Sequence, residues 1–383
     1  MSNRYLRIGL LGGVMLLVLV VLAVALTVGN QPASPSAPPT PTPLAFVSIN
    51  CIIGSEKKPL LDDPDVQQIL RDRYSLQVNA TPKGSIDQVL MDNTALKGID
   101  CLWPSNFSAV SIFESQHDKS AFPGYQATQV MYSPLVVYAA NEARDAEIKA
   151  GLVEKRGDNY YLTKMADLVN GQMLKGMTWE SLNADKLKGP VKVQSTNPVN
   201  SNSGNLLYML ILNTLAKDPY TPATLETARP VLPILLKFKQ LQGLQFTGSE
   251  DVFESWMATG RFSAPLLAGY ESQILEWSIL HPDLIDAKVK TITVLYPEPT
   301  VQSIHVIIAL TLNGQRLTTA MQDPEIQQIA WKKHGFRSIQ GITNAPANFP
   351  AVTVPADITS ITSLPDSDVI LAARDCLKTG QCQ

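Results

Sequence analysis

The sequence predicts an α/β protein whose strands form a helix-covered parallel sheet, preceded by one N-terminal transmembrane helix. Three observations predict it. Short apolar runs rich in Val and Ile alternate with helical patterns over most of the chain. One charge-free run near the N-terminus is long enough to cross a bilayer, and an uncharged proline-rich stretch separates that run from the rest. The 383 residues are enough for roughly two or three domain-sized units.

The membrane segment is Ile8 to Val28, IGLLGGVMLLVLVVLAVALTV, 21 residues without a charge. At 1.5 Å per residue it matches a hydrocarbon core about 30 Å thick. Arg4 and Arg7 precede it and no basic residue follows until Lys57, so the N-terminus is expected in the cytoplasm and the main domain outside the cell or in the periplasm. A cleaved signal peptide, with Ala23 and Ala25 before the cut, is the rival reading; the length of the run favours a retained signal anchor and hence a single-pass protein of the cell membrane. Residues 29–44 follow as a linker, and their core, QPASPSAPPTPTP, suits an extended polyproline spacer of about 40 Å.

Composition narrows the function. Charged residues are 17% of the chain, below the roughly 25% usual for soluble domains, as an anchor and an uncharged stalk would make them. The balance of 31 basic against 34 acidic residues leaves no electrostatic footprint for nucleic acid. The four histidines, and the absence of GxSxG, HExxH, GxxxxGK or GxGxxG patterns, give hydrolase, metal or nucleotide chemistry no seat. Neither an enzyme nor a cofactor is expected, and no spacing resembles a metal site. Four cysteines in an exported chain allow three pairings. Cys376 with Cys382 closes a short terminal loop, leaving Cys51 with Cys101; two buried free thiols at the latter pair are an equal alternative.

The elements run as follows. LAFVSINCIIG reads as a buried strand and DDPDVQQILRDRY as a helix, capped by Asp63 with Pro64 at its first position. SLQVNA, GIDCLWPS and YSPLVVYAAN read as strands; SIDQVLMDNTA and NFSAVSIFES read as helices between them. NEARDAEIKAGLVEKR reads as charged helix. Strand and helix recur in VKVQSTNPVNSNSGNLLYMLILNTL and again from Leu244 to Ser272. TITVLYPEP and HVIIALTL close the strand set, and Asp323 caps a last helix, EIQQIAWKKH, that Gly335 stops.

In open parallel sheets ligands sit beyond the carboxyl ends of the strands. The loops there are GSEKK, PSN, YSP, TNPVNSNSGN and GYES, each offering a serine and one almost wholly small and polar. Their plain readings are structural: Ser105 and Ser203 as helix caps, Ser55 and Ser133 as turn residues, Tyr270 as a half-buried core tyrosine. Their coincidence at five strand ends points instead to a receptor for an anion or polar solute. Glu56 and Glu271 decide the ligand class. A fully ionised oxyanion wants no carboxylate in its site, whereas a protonated or cationic solute needs one; the plain reading of Glu56 is a solvated ion pair with Lys57.

These segments resemble the type II periplasmic binding proteins, the solute receptors of ABC importers, and within them the sulfate, molybdate and phosphate receptors. The resemblance covers most of residues 45–340 in order, from GSEKK through YSPLVVYAAN, TNPVNSNSGN, APLLAGYES and LYPEP to DPEIQQIAWKKHGFR. It implies two α/β lobes joined by two crossover strands, lobe one from 45–136 and 299–383 and lobe two from 137–298. It places the ligand contacts at Ser55, Ser105, Ser133, Asn202, Ser203, Gly204 and Tyr270. The implied function is capture of a small, anionic solute in the interlobe cleft for an ABC permease. The alternative is a tethered sensory or assembly ectodomain that reuses the fold and docks on another membrane protein; the tail after about residue 340 and the stalk depart from the family pattern.

Overall fold

The computed structural model describes residues 45–259 and 264–382; the expected transmembrane helix and linker lie outside the described residues. Among the described residues no helix is long and apolar enough to cross a membrane.

Two sheets meet on one long strand. In the first, β1 (Val47–Ile53) lies between β2 (Leu76–Pro82) and β3 (Cys101–Trp103), parallel to both. Then comes β4 (Gln126–Ala140), fifteen residues long. Its residues 126–134 pair with β10 (Gln302–Ala309), while Leu135 to Ala140 pair with β8 (Leu266–Tyr270) and β9 (Ile292–Pro297) of the second sheet. β5 (Val153–Arg156) and β6 (Asn159–Leu162) extend that sheet from β9, β7 (Val193–Gln194) extends it from β8, and β11 (Arg337–Ser338) returns to the first half of β4.

The sheet is mixed where a parallel one was expected. β10 runs antiparallel to β3 and β4, and β8 and β9 run antiparallel to β4. The cause is the double crossing: β4 carries the chain out to the second sheet, and the chain returns to the first between β9 and β10, so departing and returning strands point in opposite directions.

The predicted helix starts hold. Asp63 Oδ1 accepts from the Asp65 and Val66 amides ahead of the helix Pro64–Tyr74, and Asp323 caps Pro324–Lys332 in the same way through the Glu325 amide. The charged stretch after Asn141 departs from expectation. Its helix, Asn141–Lys149, stops before Gly151 at a φ of 73°, and VEKR becomes β5, joined to β6 through Gly157 at a φ of 60°. Both disulfides form, Cys51 with its direct β-sheet neighbour Cys101 and Cys376 with Cys382.

The tail after residue 340 is ordered and returns to both halves. It lies beside the crossing at Thr300, whose amide donates to the Ser360 carbonyl at 3.0 Å and whose carbonyl accepts from the Thr362 amide at 2.8 Å. It ends in the helix Ser367–Thr379. That helix packs on Ser108–Gln116, which follows β3, and on Leu232–Gln242, which belongs to the second-sheet half. Val369, Ile370, Ala373 and Leu377 share one core with Val110, Phe113, Leu235 and Phe238, so removing this helix would uncover apolar surface on both halves.

Candidate ligand cleft

A cavity of about 350 Å³ opens where loops after the strands of the first sheet face loops of the second. Gly54, Ser55, Glu56, Ser85 and Ser105 line one side; Asn200, Ser201, Asn202, Ser249, Asp251 and Tyr270 line the other. Four of the residues singled out from the sequence, Ser55, Ser105, Asn202 and Tyr270, are therefore on one wall system.

The remaining three are not on the wall. The Ser203 hydroxyl pairs with Thr196 Oγ1 at 2.7 Å, and the Gly204 amide donates to that same oxygen at 2.7 Å. Ser133 Oγ accepts from the Ser272 amide at 3.0 Å beneath the crossover. All three are buried, with their polar atoms engaged by Thr196, Tyr270 and the Ser272 amide. Sequence reasoning passed over Ser85, Asp87, Ser249 and Asp251; Asn200 and Ser201 lay in plain view within the TNPVNSNSGN loop.

Asn202 knits the two sides together. Its Nδ2 donates to the Ser105 carbonyl at 2.9 Å and to the Tyr270 hydroxyl at 3.0 Å, and its Oδ1 accepts from Asn106 Nδ2. The helix start that a serine cap was expected to make is made by Asn106, whose Oδ1 accepts from the Ala109 amide at 2.9 Å. The halves touch closely. A Cβ at Gly84, on the first side, would stand 1.9 Å from the Asn200 carbonyl oxygen on the second.

The floor is an ion pair removed from water. Glu56 is 5% exposed and Lys57 fully buried, where a solvated pair was the plain expectation. Lys57 Nζ lies 2.7 Å from Glu56 Oε1, 2.5 Å from Ser105 Oγ and 3.2 Å from His305 Nδ1, while Ser105 donates its hydroxyl proton to Glu56 Oε1. Burial alone would push the Glu56 carboxyl up; the Lys57 charge and these hydrogen bonds outweigh it and hold the acid down at about 2. Burial pushes Lys57 down despite its partner, and burial beside the Lys57 charge drives His305 well below its ordinary value, so the imidazole is neutral. Gly54 permits the turn, since a Cβ there would lie 2.6 Å from both Glu56 oxygens.

Glu271 points elsewhere. It is fully buried against Arg337, which donates from Nε at 2.6 Å and Nη2 at 3.0 Å, and it accepts from the Tyr296 hydroxyl at 2.7 Å. Arg337 also donates to the Pro355 and Ala356 carbonyls at 2.8 Å, so one guanidinium ties β11, the helix Glu271–Leu280 and the tail. Its own value is raised: burial opposes this, and the Glu271 charge prevails.

No protein-family model matches the chain, and no curated protein matches it. Solved structures do. A periplasmic thiamin binding protein aligns with a TM-score of 0.56 at 12% identity, covering 88% of this chain and 96% of its own. The apo ferric ion-binding protein A of Pasteurella haemolytica follows at 0.54 and 13%, covering 86% and 96%. A putative spermidine/putrescine ABC transporter protein from Listeria monocytogenes gives 0.53 and 11%, covering 87% and 98%. The chain has the fold of the periplasmic solute-binding proteins. In this chain β4 runs from the first sheet into the second, the chain returns between β9 and β10, and the cavity lies where loops of both sheets meet.

Proposed function

We propose that this protein is a membrane-tethered extracellular solute-binding protein that closes two lobes on a small solute and presents it to an ABC-type importer. The lobes are 45–136 with 299–383, and 137–298; the tether is the apolar segment 8–28 with its proline-rich linker. The observation that carries the reading is the shared cavity, with Ser55, Glu56 and Ser105 on one side and Asn202 and Tyr270 on the other. The neighbours in structure, a thiamin binder, a ferric ion binder and a polyamine transporter protein, support a solute receptor and span several ligand classes. Closure follows from contacts such as Asn202 to Ser105, which exist only when the sides meet.

The expectation of an oxyanion weakens on this geometry. Glu271 is turned away into its pair with Arg337, but Glu56 lines the cavity, and one inward carboxylate suffices to disfavour a fully ionised anion. A sensory or docking ectodomain is the second reading, favoured by one feature: the helix Ser367–Thr379 packs on both halves and would resist their opening.

Thermal unfolding with panels of ammonium compounds, oxyanions, amino acids and sugars at constant ionic strength tests the receptor reading. A cognate solute at 100 times its Kd stabilises by about 2.7 kcal/mol. Ser55→Ala is expected to lose that response with the empty protein's midpoint unchanged, whereas Ser203→Ala, off the wall, keeps the response. Silence towards every class, or the opposite pattern in the two variants, refutes the reading.

A further inference from the structure

Resting on the receptor reading, we infer that the guest is a small organic cation whose ammonium group pairs with the Glu56 carboxylate. The cavity of about 350 Å³ is near the small end of ligand sites and suits a compact molecule. Its deep charge is Glu56. An ammonium has three protons, and those of Lys57 are directed to Glu56, Ser105 and His305, leaving none for an anion in the cleft. Lys57 also stands behind the wall, so a guest meets the carboxylate first. Both hydrogen bonds from Lys57 and Ser105 fall on Oε1, and Oε2 is the oxygen left for a guest.

The outer charges do not reverse this sign. Lys83 and Asp251 are exposed on opposite sides of the mouth and offset each other, and Asp87 is committed to Arg374. A charge-assisted hydrogen bond to a carboxylate is roughly twice as strong as a neutral one. A cation is therefore expected to bind at least about tenfold tighter than its uncharged isostere, and an oxyanion to find no ammonium donor free to hold it.

A second acid would report the event. Glu250 is the second residue of the helix Ser249–Ala258, between the wall residues Ser249 and Asp251; Gln273 donates to it at 3.4 Å, and its carboxyl is raised to about 8, by burial first and then by the charges of Glu276, Glu254 and Glu56. Placing a cation on Glu56 cancels part of that repulsion, lowers the Glu250 value and releases protons when binding is measured near pH 8.

The experiment is calorimetry and thermal shift on the full chain with ethanolamine, choline and putrescine. Ethylene glycol serves as the uncharged partner of ethanolamine, and sulfate and phosphate as anions, each in two buffers of different ionisation enthalpy. We expect a response to at least one ammonium compound, tenfold or more above its neutral partner, with proton release at pH 8. Glu56→Gln alone strands Lys57 and risks unfolding, so the double variant Glu56→Gln with Lys57→Met replaces the pair by neutral groups of similar size. It is expected to fold and to lose the ammonium response. A response to sulfate, phosphate or a sugar with none to ammonium overturns the cation and leaves the receptor standing, as does a double variant that still binds ammonium. Silence towards every class overturns both.

Discussion

Replacing Glu147 by glutamine should make this protein more stable at pH 8 and leave it nearly unchanged at pH 4.5. Glu147 lies on the Asn141–Lys149 helix and is 1% exposed. Gln172 Nε2 donates to its Oε2 at 2.9 Å, while Oε1 has no partner. Burial raises the carboxyl from 4.5 to about 7, and the single hydrogen bond from Gln172 only partly opposes it. A value raised in the folded state gives stability that is complete below the unfolded value and lost as pH climbs to the folded one; here that window runs from 4.5 to about 7. At about 1.4 kcal/mol per pH unit the loss is about 3 kcal/mol, fully present at pH 8. The amide cannot ionise and avoids it. Guanidinium unfolding of parent and Glu147→Gln at both pH values, with equal slopes, should show a gain of about 2 to 3 kcal/mol at pH 8 and less than about 0.5 kcal/mol at pH 4.5. A variant no more stable than its parent at pH 8 would refute the reasoning.

Two further outcomes follow from close contacts. Gly84→Ala places a methyl against the Asn200 carbonyl, a backbone clash that moving the sides apart relieves; small-angle scattering should show a larger radius than the parent's, and an identical profile counts against a closed cleft. Arg337→Met strands the Glu271 carboxylate in the core and should cost about 3 to 5 kcal/mol in chemical unfolding, with Glu271→Gln in the same chain recovering most of it.

The sequence made the local elements legible because their causes are local. Asp63 and Asp323 stand one residue ahead of prolines that begin helices, and the cap geometry needs nothing from elsewhere. The convergence of Ser105, Asn202 and Tyr270 was legible as a coincidence of strand ends. The burial of Glu56 and Lys57 was not, since their partners Ser105 and His305 lie 49 and 248 residues away in sequence and arrive only through β3 and β10. Ser203 and Gly204 belong to a segment that does form the cleft, yet a step along the chain turns a side chain from the wall into the packing behind it, while the segment of Ser133 lies off the wall altogether. The β5–β6 hairpin was hidden by charge, although the Gly-Asp pair at its turn carried the signal.

The last helix also bears on synthesis. Residues 367–379 complete the shared core with Val110 and Phe113 on one side and Leu235 and Phe238 on the other. A nascent chain leaving the ribosome N-terminus first holds both partner surfaces long before their common cover exists. Burial of those two faces must then await synthesis of residues 367–379, and a chain truncated near residue 360 is expected to expose both of them and to be prone to aggregation and proteolysis.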